Sequence, residues 1–275
     1  MADIQVSGVN CRKKQKLDNM CTNSKKKRVT SLISEKVKSL GFVMKRGIFY
    51  KEIADGVFAV ISNHFYSVTE KRCYELNTHV GLLVSSVERL RIELADNSEK
   101  EYLQKYPIST ILIQIGLLIP ERKEKVYQFS KDVDDAERIV AIWLSDIKQY
   151  AIPFFLEYGS IEGVFKLYLY KADGVIIRNR EVYLPLFYYL MGEKEKGLHF
   201  LEETMTRYEA SPEDRILQAK DLATGRLIEY EVLDLDADEI VKLLNDRSLL
   251  TVFEQKSHFF PAFASKYKDL IQSEQ

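Results

Sequence analysis

Asp55-Gly56 stands between two runs rich in β-branched and aromatic residues, Phe42–Ile53 and Val57–Val68. An Asp-Gly pair accepts the positive φ values of a two-residue hairpin turn, so the two runs are expected to fold back as antiparallel strands. A third run, Arg72–Leu83, follows a second turn at Thr69-Glu70-Lys71 and completes a meander. Along the middle run, Val57, Ala59, Ile61 and Asn63 alternate with Phe58, Val60, Ser62 and His64. Both sets are partly apolar, which predicts a sheet covered on both faces.

Helical signals flank this meander. Val29, Leu32, Ile33, Val37 and Leu40 recur at three- and four-residue steps after Ser24, and Gly41 follows where a left-handed cap favours glycine. Residues 85–106 are charged, with a short helix expected near Glu99–Tyr106. Ile108–Ile119, ended by Pro120, reads as a fourth strand, and Val126–Phe129 as a fifth. Val133–Tyr158 reads as a long helix with Asp132, Asp134 and Asp135 at its positive end, kinked or broken by Pro153. Ser160 caps the next helix, which runs to about Tyr170. Tyr183–Met191, Gly192 and Glu193–Tyr208 form a helical hairpin signature. Ser211-Pro212-Glu213-Asp214 reads as a helix start, Asp236 or Asp238 as another, and Pro261–Ile271 as the last helix. The expected fold is α+β: an antiparallel sheet of four to five strands packed with helices, followed by an all-helical C-terminal region. Three segments result: a basic mobile arm over 1–23, an α+β domain over 24–174 and a helical region over 175–275.

The net charge of −1 hides a segregation. Residues 1–30 carry eight basic and two acidic side chains, whereas residues 201–275 carry sixteen acidic and nine basic ones. Lys13 and Lys14, with Lys25, Lys26, Lys27 and Arg28, form two basic clusters that suit an acidic surface or a phosphate backbone. Lys45 and Arg46, with Lys51, add a basic stripe beside the hairpin. No aromatic residue interleaves the lysines of the arm, so a stacking groove for single strands is not supported there. The N-terminus lacks a signal-type apolar stretch, and the apolar run Ile108–Pro120 is shorter than a membrane span and contains Ser109, Thr110 and Gln114. The expectation is a cytoplasmic protein without a membrane role, nuclear only if it acts in a eukaryotic cell.

The sequence lacks a Walker-type phosphate loop, a dinucleotide-binding glycine fingerprint, a zinc-hydrolase helix motif, a nucleophile elbow and a paired-cysteine redox motif. Cys11, Cys21 and Cys73 are too few and too spread for a disulfide framework or a zinc site. The acidic run from Asp234 to Asp238 imitates a calcium loop, but Glu239 and Asn245 occupy the positions that need Gly and Glu. No metal site and no cofactor are expected. The remaining catalytic candidates are His64 and His79, which the meander can bring to nearby rungs, with Glu75 or Glu52 as a carboxylate partner. His199, beside Phe200, reads as a surface or packing residue.

Leu40-Gly41-Phe42, Gly47, Phe49-Tyr50, Val60-Ile61, Val80-Gly81, Trp143 and Ala151-Ile152-Pro153-Phe154-Phe155 run in an order that resembles a bacterial family, domain of unknown function 4304. The resemblance covers about Lys25 to Ala172. It implies a compact α+β domain with an antiparallel sheet and supplies no catalytic residues. By analogy with other small bacterial domains it suggests an immunity- or defence-associated component.

Three functions follow as expectations. The first is a non-enzymatic module that binds another protein, consistent with the 16 tyrosines and 14 phenylalanines and the segregated charge. The second is nucleic-acid association through residues 12–28. The third is an enzyme with a dispersed site near His64 and His79.

Overall fold

The computed structural model describes residues 25–68, 73–95, 97, 100–101, 103, 109–120, 124–130, 134–170, 179–210, 215–221, 227–231, 249–255 and 260–274. Helix α1 spans 25–39. It ends in a Schellman motif: Phe42 N–H bonds Val37 O at 3.3 Å and Gly41 N–H bonds Lys38 O at 2.9 Å. Gly41 carries the φ of +86° that this cap requires. Strands β1 (Val43–Lys45), β2 (Ile48–Ala54), β3 (Val57–Val68) and β4 (Cys73–Val84) follow. Then come α2 (Ser85–Leu94), β5 (Ile111–Gln114), a 3-10 turn at Ile115–Leu117 and β6 (Val126–Ser130). The sheet order is β1-β2-β3-β4-β5, and β6 pairs antiparallel with Cys73–Asn77 of β4.

The α+β class with its antiparallel sheet stands, as does a helical region after it. The helices there are α5 (Ile161–Tyr170), α6 (Arg180–Leu190), α7 (Lys194–Ala210) and α8 (Phe260–Ser273). That region is not helical throughout. Strands β7 (Arg215–Asp221), β8 (Leu227–Glu231) and β9 (Leu249–Gln255) form an antiparallel sheet in the order β8-β7-β9. The helix expected from Ser211 gives way to β7, because pairing along both edges of β7 outweighs a local capping signature. The helix expected at Asp236 or Asp238, and the acidic run around it, lie outside the described residues.

Other boundaries also move. Phe42–Ile53 is two strands, separated by a tight turn at Arg46-Gly47. Residues 85–94 form a further helix directly after β4, and Lys100, Glu101 and Leu103, within the helix expected near Glu99, are helical as well. Among the described residues of the run Ile108–Ile119, the strand covers Ile111–Gln114.

The long helical stretch has three parts: α3 (Ala136–Asp146), a π-helical turn at Ile147–Ala151 and α4 (Ile152–Tyr158). Pro153 explains the junction. It lacks an N–H and crowds the carbonyl four residues before it, and the widened turn relieves both. Ile152 N–H accordingly bonds Ile147 O, five residues back. By length and composition, Ala136–Tyr158 could cross a membrane, with mean hydropathy 1.3. In the fold it buries Val140, Trp143, Ile147 and Ala151.

The described chain divides into two compact units. The first comprises the described residues up to Lys51, with Ala59–Val80 and Gln114–Leu156. Its core gathers Val29, Ile33 and Val37 of α1, Ala59, Ile61 and Leu76 of the sheet, and Val140 and Trp143 of α3. One polar cluster is built into it. Tyr127 donates to Asp146 at 2.8 Å, and Lys125 pairs with the same carboxylate at 2.6 Å. Burial, and then Asp146, raise the phenol's pKa well above its ordinary value.

The second unit comprises Glu52–Phe58, Gly81–Ile113 and the described residues from Glu157 onward. Gly81 is obligatory there, since a Cβ would lie 2.0 Å from the carbonyl oxygen of Ile111. A charged network is buried in this unit. Thr110 donates to Glu88 at 2.7 Å and accepts from Val84 N–H at 2.9 Å. Arg91 donates to the Tyr183 hydroxyl, and Tyr168 donates to the Thr110 carbonyl at 2.5 Å. Ser160 caps α5 by accepting from Gly163 N–H at 2.9 Å. Helices α6 and α7 form the expected hairpin about Gly192, at φ +76°. Phe165 and Tyr168 of α5 stack against Phe187 and Tyr183 of α6, so these aromatics are packing residues.

Candidate binding cleft

The turn between β1 and β2 holds Arg46 at φ +53° and Gly47 at φ +82°. Both signs match a type I′ turn, whose twist suits the strands it joins. Glycine enters this conformation freely, whereas arginine does so at a cost of roughly 1–2 kcal/mol. The register is Lys45↔Ile48, Met44↔Phe49 and Val43↔Tyr50. A two-residue turn makes Lys45 and Ile48 the hydrogen-bonded pair, so the N–H and C=O of Met44 turn away from β2. Strand β1 stands at the end of the sheet order, and all three of its residues are exposed, Val43 at 70% and Met44 at 45%. Arg46 also bears on Tyr50: burial pushes this phenol's pKa up, and the nearby guanidinium partly offsets the rise.

Beside this hairpin lies a cleft of about 390 Å³. Helix α1 contributes Lys26, Thr30 and Ile33, spaced to share one helix face. The hairpin contributes Met44, Gly47 and Phe49, and β3 contributes Asn63, His64, Phe65 and Tyr66. The Lys26 ammonium stands 5.5 Å from the Phe65 ring centroid. The lining holds a lysine and a histidine and no carboxylate.

One wall is fixed from the core. Trp143 Nε1–H donates to the Thr78 hydroxyl at 2.9 Å, and that hydroxyl donates to Asn63 Oδ1 at 2.8 Å. Thr78 and Trp143 are both fully buried. With its oxygen held, Asn63 presents its amide nitrogen on the other side. That Nδ2 is buried and has no hydrogen-bond partner among the described residues.

The structure brings His64 and His79 together: their rings meet edge to face, with centroids 5.3 Å apart. Ser62 Oγ and His64 Nε2 are 3.2 Å apart. Glu75 does not join them. It accepts from Gln128 at 2.9 Å, four residues and about 13 Å along β4 from His79. Glu52 accepts from Gly56 N–H at 3.2 Å and so serves the β2–β3 turn. Among the described residues no group of three His, Cys, Asp or Glu side chains is placed to hold a metal.

The basic candidates divide. Lys13 and Lys14 lie outside the described residues, as do Cys11 and Cys21. Lys25 donates to Ser130 O at 3.2 Å, and Arg28 pairs with Asp134 and, at 3.3 Å, with Glu137. These two cations tie α1 to the β6–α3 segment. Lys26 reaches the cleft, and Lys27 is exposed. Lys45 and Arg46 are exposed at the hairpin tip. Lys51 leaves the expected stripe: it donates to Leu40 O at 2.9 Å, closing the end of α1. His199 pairs with Glu203 at 3.2 Å on the surface of α7.

Sequence reasoning missed Asn63, Thr78 and the outward edge of Met44. The signal for the edge was Arg46-Gly47, a turn-compatible pair inside an apparently continuous strand. No protein-family model, curated protein or solved structure matches this chain.

Proposed function

We propose that this chain is a non-enzymatic binding module that docks an extended, acidic segment of another protein along β1. The observation that carries the reading is the edge itself: a three-residue strand, exposed throughout, whose central residue turns its N–H and C=O away from its neighbour. A strand of this length offers one pair of outward backbone hydrogen bonds at Met44, so side chains must supply most of the affinity. Val43, Met44 and the half-exposed Tyr66 give apolar contact. Lys45 and Arg46 favour acidic residues and speed the encounter. The strained Arg46 fits this role, since strain retained at an exposed tip points to a use for that side chain.

An immunity- or defence-associated role, suggested by the family resemblance, would fit such a module. Nucleic-acid binding through residues 12–28 is the weaker reading, because Lys25 and Arg28 are spent on contacts within the chain.

The test is selection of random peptides on the full chain, on Met44→Pro and on Met44→Ala. Proline removes the outward N–H without touching the β1–β2 hydrogen bonds, and alanine keeps it. Acidic, extended peptides should enrich on the wild type, persist on Met44→Ala and vanish on Met44→Pro. Equal capture by the proline variant overturns the reading.

A further inference from the structure

We propose that the cleft between α1 and the β1–β3 meander is a ligand site for an aromatic phosphate monoester of mononucleotide size. The inference does not rest on strand addition at β1. Four observations carry it. The first is volume: about 390 Å³ falls within the range of roughly 300–1,000 Å³ typical of small-molecule sites. The second is charge. The Lys26 ammonium lines the cleft and no Asp or Glu does, so the lining favours an anion.

The third is the Asn63 amide. Its oxygen is held by the Thr78 hydroxyl, which is itself oriented by the Trp143 indole. The relay leaves Nδ2 as a buried donor without a partner among the described residues, on a residue that lines the cleft. A buried amide N–H that lacks a partner is costly, and an anionic oxygen of a ligand satisfies it well. Lys26 Nζ gives a further donor on the same lining for the terminal oxygens of a phosphate monoester.

The fourth is the apolar part. Phe65 and the Met44 thioether present flat or adaptable surface on which a planar ring can rest. Met44 and Phe49 are cross-strand partners in the register where side chains approach most closely, so the buried Phe49 backs the Met44 side chain.

The experiment is titration of the full chain with adenosine 5′-monophosphate, adenosine and inorganic phosphate, followed by calorimetry. The variants are Asn63→Asp and Lys26→Gln. Aspartate keeps the oxygen that accepts from Thr78 and replaces the donor with a repelling oxygen. The nucleotide should bind saturably and more tightly than either part. Its Kd should rise about tenfold or more in each variant. Unchanged emission of Trp143 checks that each variant is folded, and Lys26→Gln, at an exposed helix position, carries the test if Asn63→Asp is not. No saturable nucleotide binding, adenosine binding as tight as the nucleotide, or a nucleotide Kd unchanged in the folded variants overturns the proposal.

Discussion

Replacing Thr78 by valine should be among the most damaging near-isosteric changes in the first unit. The side chain is fully buried, accepts the indole N–H of Trp143 at 2.9 Å and donates to Asn63 at 2.8 Å. Valine keeps the shape and removes the hydroxyl, so two partners lose their bonds at once. A buried polar group left without a partner costs about 1–3 kcal/mol. Trp143 is itself fully buried and has no route to water, so its share is paid in full. Asn63 Oδ1 loses its donor in the same change. The total loss is about 2–4 kcal/mol. Thr78→Ser keeps the hydroxyl and removes one methyl, a loss of about 1 kcal/mol. The assay is urea unfolding followed by the emission of Trp143, the one tryptophan in the chain, which reports the unit that contains it. The valine variant should be less stable than the serine variant by at least about 1 kcal/mol, and its emission should shift as the indole loses its partner. Equal stability of the two would refute the relay.

Further predictions concern the backbone and one carboxyl. Arg46→Asn should raise stability by about 0.5–1 kcal/mol, because asparagine tolerates the left-handed conformation, and it should weaken capture of acidic peptides. A thermal melt with no gain would count against the strain at the turn. Gly81→Ala places a Cβ 2.0 Å from a backbone oxygen and should cost more than about 3 kcal/mol or prevent folding; soluble protein with an ordinary melt contradicts it. Burial raises the pKa of Glu88 above the usual carboxylate value, despite Thr110 and Arg91. The folded state therefore holds the proton longer than the unfolded state does. Stability relative to Glu88→Gln should be greatest below about pH 4 and fall as pH rises through the raised folded value. A difference between the two urea midpoints that does not change with pH would show that this carboxyl titrates normally.

Local chemistry made several elements legible. Asp55-Gly56, the Gly41 cap, Ser160 and Gly192 each act within a few residues, and each stands where expected. Other elements depend on more than their neighbours. Arg46-Gly47 was hidden because arginine is a poor left-handed residue, so the run around it read as one strand. Helix α2 was hidden because Ser85–Leu94 mixes four charged residues with a narrow apolar stripe. Strand β7 was read as helix because its edges are satisfied by β8 and β9, the latter about thirty residues away. The pairing of His64 with His79 followed from the meander. The Asn63–Thr78–Trp143 relay did not, since its links join residues 15 and 65 positions apart and depend on how α3 lies against the sheet within its own unit.

Hydrogen exchange on the full chain, alone and with a peptide selected on it, tests the central claim most directly. If an acidic segment adds to β1, the Met44 amide exchanges more slowly in the complex. Lys45, whose amide is already bonded to Ile48, changes little. Slowed exchange confined to other elements, with Met44 unaffected, would contradict docking at this edge.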